Sequence, residues 1–191
     1  WGLTRPPPPP PPQDDGPTPQ IILDELAAAP PGQITVVDFA DFECPWCRKA
    51  HVDLTGAMER RKGQVHVVRK HVPLSIHARA KPAARAAICA EEQGKGEPMA
   101  ELLFAAPPKE IDAEGCARIA ATAGLDLERF KACVADPKTD ERIKKDREAF
   151  EAARGKALPT MFVGEERISG YKGREAIEDA LARAASKVRG R

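Results

Sequence analysis

The sequence carries almost no net charge. Thirty Lys and Arg stand against 29 Asp and Glu, a balance of +1. Charge alone therefore points to neither nucleic acid nor an anionic membrane as a partner. Long apolar runs are missing too. Nowhere do about 18 apolar residues follow one another, the length a membrane-crossing helix needs. Aromatic residues make up only 5% of the chain, with a single tyrosine, against 42% hydrophobic residues in all. A core built from this chain must rest largely on Ala, Leu, Ile and Val. No secretory signal pattern opens the sequence. It begins at Trp1 and not at Met, as expected of a mature or trimmed form whose upstream sequence could have carried a signal or an anchor. No internal repeat is visible.

Proline is what the chain has in excess, 19 among 191 residues, and Pro6 to Pro12 form an unbroken run. Residues 1–20 hold little that could pack and read as a Pro-rich linker. A polyproline rod of that run spans about 20 Å at ~3.1 Å per residue. The alternative, a ligand for an SH3-like module, has no flanking pattern to sharpen it.

A folded unit is expected from Ile21 onward. Ile21 to Leu23 suit a short edge strand or the start of a helix. Ile34 to Phe39 are β-branched and almost continuously apolar, the pattern of a strand buried on both faces. Ala50, Leu54, Ala57 and Met58 share one helical face, and Val65 to Lys70 read as the next strand. Strand, helix and strand in this order predict a right-handed βαβ unit. From residue 78 to 154 the periodicity is helical throughout, broken at Pro107–Pro108 and at Asp136–Pro137. Strands return at Thr160–Val163 and Glu166–Ile168 around Gly164–Glu165, a hairpin signal, and a last helix follows. The expected fold is α/β. Residues 21–77 and 155–191 are expected to make a βαβ…ββα domain, with residues 78–154 as an all-helical insertion.

The chemistry concentrates at Cys44-Pro-Trp-Cys47. Two thiols three apart suit a reversible disulfide, half a zinc site or haem attachment. Haem attachment needs His after the second cysteine, and Arg48 stands there. Zinc needs further ligands at regular spacing, and only His51 is near, so no metal site is expected. The redox reading has position in its favour. Cys44 falls where a buried strand gives way to a helix, and the helix N-terminus stabilises a thiolate. Cys47 falls inside the first turn, shielded, as a resolving thiol. Asp38, in an otherwise apolar strand, is expected beneath the site with a raised pKa, placed to take the Cys47 proton. Leu158-Pro159 just before a strand is a candidate cis bond. Arg69, Lys70 and His71 end a strand and are placed at its solvent edge. His77 reads as a helix opener, and the run Asp140–Glu151 as a solvated helix face.

The segment Asp38-Phe-Ala-Asp-Phe-Glu-Cys-Pro-Trp-Cys47 resembles the active-site segment of the DsbA-like thiol–disulfide oxidoreductases of the thioredoxin superfamily. Ile88-Cys-Ala-Glu-Glu-Gln-Gly94 and Pro159-Thr-Met-Phe-Val-Gly164 are similar to the same family. The resemblance implies a thioredoxin fold with a helical domain inserted after the first βαβ unit. It implies that Cys44 is the exchanging sulfur, that Cys47 resolves the mixed disulfide, and that Pro159, preceded by Leu158, is a cis-proline on the substrate side. Two departures bear on function. Leu158 replaces the Val or Thr of many relatives, so substrate fit is expected to differ. Trp46 replaces the His that the strongest oxidants of the family carry between the cysteines, so a less oxidising couple is expected, with Trp46 on the rim of a peptide-binding surface. Three cysteines remain, Cys89, Cys116 and Cys133. The resemblance favours a Cys89–Cys133 bridge, since some relatives carry cysteines in both helices. Cys116–Cys133 is the alternative.

The expected function is disulfide exchange with protein cysteines, as a disulfide donor in the cell envelope. The alternatives are a reductase or isomerase with the same site, and a redox-sensing or binding module on the same scaffold. Expected partners are cysteine-containing proteins and a redox partner that recycles the site, with no nucleic acid. No cofactor is expected. The expected location is periplasmic or otherwise extracytoplasmic, with the Pro-rich segment as a tether.

Overall fold

Residues 16–189 are described by a computed structural model. The Pro6–Pro12 run lies outside these residues. The element order is α1 (Gln20–Ala28), β1 (Ile34–Ala40), α2 (Pro45–Glu59), β2 (Val65–His71), α3 (Ala80–Glu91), α4 (Gly96–Ala105), a 3-10 turn (Pro108–Glu110), α5 (Ala113–Thr122), α6 (Leu127–Ala135), α7 (Pro137–Ala152), β3 (Thr160–Val163), β4 (Glu166–Ser169) and α8 (Arg174–Arg189). The ambiguous segment at Ile21 is helix and not strand. Its Ile22 is wholly buried, and Ile21, Ile22 and Leu26 pack in the cluster formed by Val37, Phe39 and Phe162. That helix starts at Gln20, one residue inside the stretch expected to be linker.

The four strands form one sheet in the order β2-β1-β3-β4. β1 runs parallel to β2, with Asp38 opposite Arg69, and antiparallel to β3, with Asp38 opposite Met161. All seven residues of β1 are buried. Side chains alternate across a strand, so the two faces of β1 meet different partners. Ile34 and Val36 pack with Ala50, Leu54 and Ala57 of α2 and with Ile177 and Leu181 of α8. Val37 and Phe39 pack with Ile22 of α1 and with Ala149 and Ala153 at the end of α7. Helices on both faces explain why the strand reads as a continuous apolar run. The β3–β4 turn uses Gly164 at φ +57°, a backbone conformation that costs glycine little and other residues more.

Helices α3 to α6 pack around Cys89, Met99, Leu103, Phe104, Cys116 and Phe130. Small residues allow the close approach: α3 buries Ala83, Ala86, Ala87 and Ala90. This cluster also takes in Ala40, Phe42, Cys44 and Cys47, so the two cysteines sit where the strand-bearing elements meet the helices. Cys89 and Cys133 are disulfide-bonded, with Cα atoms 5.7 Å apart and a separation of 44 positions in sequence. Cys116 is free and buried. Asp136 accepts from the Lys138 N–H and caps α7, with Pro137 in its first turn, an arrangement that satisfies an otherwise orphan donor. No helix among the described residues is long and apolar enough to cross a membrane.

Candidate active site

Buried β1 delivers the chain to the start of α2, and the two cysteines lie at that junction. Cys44 is the N-cap residue of α2 in extended conformation, Pro45 opens the helix, and Cys47 falls in its first turn. Proline suits this place because the first helical N–H has no partner in any case. Both thiols are free and largely buried, at 6% and 2% exposure. Their environments push them in opposite directions. The Cys44 thiol is pulled down to about 6, first by the hydrogen bond from the Cys47 thiol and then by the backbone N–H groups of Cys47 and Trp46, against burial and the charge of Asp41. The Cys47 thiol is pushed far above its ordinary value by donating that bond, by burial and by the Cys44 charge. The Asp41 N–H also lies 3.5 Å from Cys47 Sγ. The turn thus holds one thiolate and one thiol, the state that a helix N-terminus and a shared hydrogen bond favour.

Asp38 lies beneath this turn at 2% exposure. Burial raises its pKa, and Arg69 opposes the rise. Arg69 Nε donates to Asp38 Oδ2 at 3.2 Å, and its Nη1 donates to Glu97 Oε1 at 2.6 Å. Asp38 Oδ1 has no partner among the described residues, and the Asp38 charge acts on Cys47. Arg69 therefore does not sit at a solvent edge. Its side chain is 3% exposed, because the parallel register places it beside the buried Asp38 carboxylate. His71 departs from the same expectation. It is 1% exposed, stacks on Phe42, and its Nε2 meets Glu91 Oε1 at 2.8 Å. Only Lys70 of the three keeps a partly open place, paired with Glu25 of α1. The charged face of α7 is likewise not all solvated: Asp146 is buried and accepts from the His71 N–H and from Arg142.

His51 is packed within α2. It stacks on Phe104 with ring centroids 4.4 Å apart, and burial, with Arg69 nearby, drops its pKa to about 3. It stays neutral at ordinary pH. Among the described residues no three His, Cys, Asp or Glu side chains group as metal ligands do.

The residues expected on the substrate side lie near the turn. The Leu158–Pro159 peptide bond is cis. The Pro159 carbonyl accepts from the Gly170 N–H at 2.8 Å, which fixes the loop leading into β3. Leu158 is half-buried and packs against two apolar clusters. Trp46 is 56% exposed. It stacks on Tyr171 at 5.8 Å, Lys49 lies over both rings, and Tyr171 OH donates to Asp53 at 2.8 Å. A flat aromatic surface beside Cys44 and next to the cis-proline loop results.

Two residues, Asp41 and Glu97, escaped the sequence reading, and His77 was read there only as a helix opener. Asp41 is fully buried and accepts from the Glu43 and Leu74 N–H groups and from His77 Nδ1. His77 precedes α3, as expected, but its ring is turned to Asp41. Glu97 closes the Arg69 pair. The one available signal was Asp38 itself, since a lone acid in an apolar strand requires a cation from a neighbouring strand.

A sequence profile of the thioredoxin family matches residues 28–183. Among solved structures, a thioredoxin-like oxidoreductase from Silicibacter pomeroyi DSS-3 superposes with a TM-score of 0.71 at 28% identity, covering 82% of this chain and 89% of that one. Wolbachia pipientis alpha-DsbA1 superposes with a TM-score of 0.70 at 20% identity over 85% and 90% of the two chains. The curated relatives are of another kind. The Na(+)/H(+) antiporter NhaA 3 of Salinispora tropica is 35% identical over 164 residues, 82% of this chain but 24% of that protein. The chain spans about a quarter of the length of the curated relatives it matches. With its four-stranded sheet, its Cys44–Cys47 turn at a helix start and DsbA-like oxidoreductases among its structural neighbours, the chain belongs to the thioredoxin family.

Proposed function

We propose that the chain is a thiol–disulfide oxidoreductase that acts as a disulfide donor to protein cysteines outside the cytoplasm. The observation that carries this reading is the placement of the two thiols in one turn, Cys44 at the N-cap of α2 and Cys47 buried in its first turn, which draws Cys44 down to about 6 and pushes Cys47 far above its usual value. In the oxidised protein a substrate thiolate attacks Cys44 Sγ, the Cys44–Cys47 bond breaks, and the electron pair leaves on Cys47. Cys47 takes a proton at once, and Asp38, with its raised pKa and free Oδ1, is the group that hands it over. The second substrate thiolate then attacks the substrate's own sulfur in the mixed disulfide. Cys44 departs as a stabilised thiolate, and low leaving-group pKa speeds that step. The products are an oxidised substrate and a reduced turn, with two electrons moved from one dithiol to the other. Leu158, Pro159 and the Trp46 surface would seat the substrate strand.

A redox partner must reoxidise the turn. The antiporter relatives suggest a place at a membrane, with the Pro-rich residues 1–20 as the tether. The helical stretch 78–154 is proposed as an inserted domain that supplies the floor of the site.

The direct test uses reduced Cys47→Ser with a peptide disulfide, whose sulfur the Cys44 thiolate attacks, and the oxidised native protein with the reduced two-cysteine peptide. The variant accumulates a mixed disulfide at Cys44, seen by mass spectrometry, whereas the native protein oxidises one peptide per Cys44–Cys47 pair. A Cys44→Ser variant that oxidises the peptide at the native rate would defeat the reading.

A further inference from the structure

The site contains a histidine that neither the sequence motif nor the mechanism above uses. Asp41 lies three residues before Cys44, with its side chain 0% exposed. A buried carboxylate beside a thiolate is unfavourable for both, and the Asp41 charge does raise the Cys44 pKa. His77 meets Asp41 Oδ2 at 2.8 Å through Nδ1, while its side chain keeps 18% exposure to solvent. The same residue Asp41 touches both cysteines through its backbone: its carbonyl accepts the Cys44 N–H at 3.2 Å, and its N–H points to Cys47 Sγ. The Leu74 N–H, also on Asp41 Oδ2, anchors the loop that carries His77. The ring is thus tied to the cysteine turn by one residue and cannot swing away without taking one of three partners from a buried carboxylate.

We propose that His77, held by Asp41, supplies the positive charge beside Cys44 that the residue between the cysteines, Trp46, cannot supply, and that its protonation follows the redox state of the Cys44–Cys47 pair. The proposal rests on the oxidoreductase reading of that pair. The charged groups facing His77 are Asp41, Glu43 and the Cys44 thiolate. Glu43 Oε2 is itself occupied by the Arg79 N–H, and the Arg48 charge acts on both Asp41 and Glu43. Burial pulls the His77 pKa down, but the Asp41 hydrogen bond and the charges of Asp41, Cys44 and Glu43 hold it above the ordinary value.

The Cys44 contribution exists only when the turn is reduced. Reduction of the disulfide by a substrate dithiol consumes two electrons and one proton, giving Cys44 thiolate and Cys47 thiol. Between the His77 pKa of the oxidised protein and the higher one of the reduced protein, His77 binds a second proton. In that window reduction of the turn takes up two protons, as many as a substrate dithiol releases, so the protein keeps its oxidising power toward dithiols where a turn without His77 would lose it as pH falls.

Two measurements test this. The His77 ring titration is followed by NMR in the oxidised and reduced protein, and the Cys44 pKa by the pH dependence of iodoacetamide alkylation. The ring is expected to titrate higher in the reduced form. His77→Gln keeps a donor for Asp41 and removes the charge. It is expected to raise the alkylation midpoint by about one pH unit, a tenfold loss of thiolate below the midpoint, the size expected of one nearby charge. His77→Lys restores charge without the ring and is expected to return most of the shift. An identical ring pKa in both redox states, or an unmoved midpoint in His77→Gln, would overturn the proposal. A native Cys44 that alkylates no faster than a free thiol at pH 7 would instead count against the oxidoreductase reading.

Discussion

Arg69→Met in the oxidised protein isolates the energetics of the buried relay, because the cysteines do not titrate when paired. Met fills the volume of the Arg stem, so the main change is the loss of the cation beside Asp38 and over the Phe104 ring. Breaking a buried pair by removing one partner costs about 3–5 kcal/mol when the remaining charge stays ionised. Asp38 has an escape, which is to keep its proton. Its native pKa then rises further above that of the unfolded chain. The stability present near pH 4 is accordingly lost as pH rises, by about 1.4 kcal/mol per unit, until the native carboxyl ionises. A deficit of about 3–5 kcal/mol therefore builds up over two to four pH units. Urea unfolding of native protein and variant at pH 4.5, 6 and 8 reads this directly. The two midpoints should lie close at pH 4.5 and separate by pH 8. Adding Asp38→Leu to the variant should remove the pH dependence and recover much of the loss. A deficit that is the same at all three pH values would refute the claim that Arg69 opposes the rise in the Asp38 pKa.

Two further predictions concern the helices that floor the site. Replacing Cys89 and Cys133 together by Ala frees a loop of 44 residues, which costs about 4 kcal/mol on the chain-entropy account; urea unfolding against native protein should show it, and a loss below about 1 kcal/mol would contradict that account. Gly115→Ala places a Cβ 1.7 Å from the Glu110 carbonyl oxygen, so α5 must shift off its 3-10 turn, and a loss near the top of the usual overpacking range, about 3 kcal/mol, is expected in thermal unfolding. A native-like melting temperature would show that the turn yields freely.

The parts of the fold that were legible are those where local pattern and tertiary role agree. The run from Ile34 to Phe39 is apolar on both faces because helices cover both faces. The hairpin at Gly164–Glu165 and the break before α7 follow from residues that act on their own backbone. The cysteine turn could be placed for the same reason, since strand end, proline and helix start are adjacent in sequence. What could not be read depends on register and distance. Arg69 lies opposite Asp38 only once β1 and β2 are paired. His77 reaches Asp41 across 36 residues, and His71 is enclosed by α3 and α7, which arrive later in the chain. In each case a residue that looks solvent-facing in isolation is drawn inward by a buried charge. Ile21 to Leu23 were ambiguous because three apolar residues suit either period.

The central claim is that Cys44 and Cys47 form a redox couple poised to give away its disulfide. Its most direct test is the equilibrium of the pair with reduced and oxidised glutathione at pH 7, read by the shift in mass on alkylation. A thiol held at about 6 stabilises the reduced form, though less than the most acidic thiols of such turns do. The account therefore predicts a potential between about −120 and −180 mV, toward the lower end. A value at or below about −250 mV, in the range of a reductase, would contradict it.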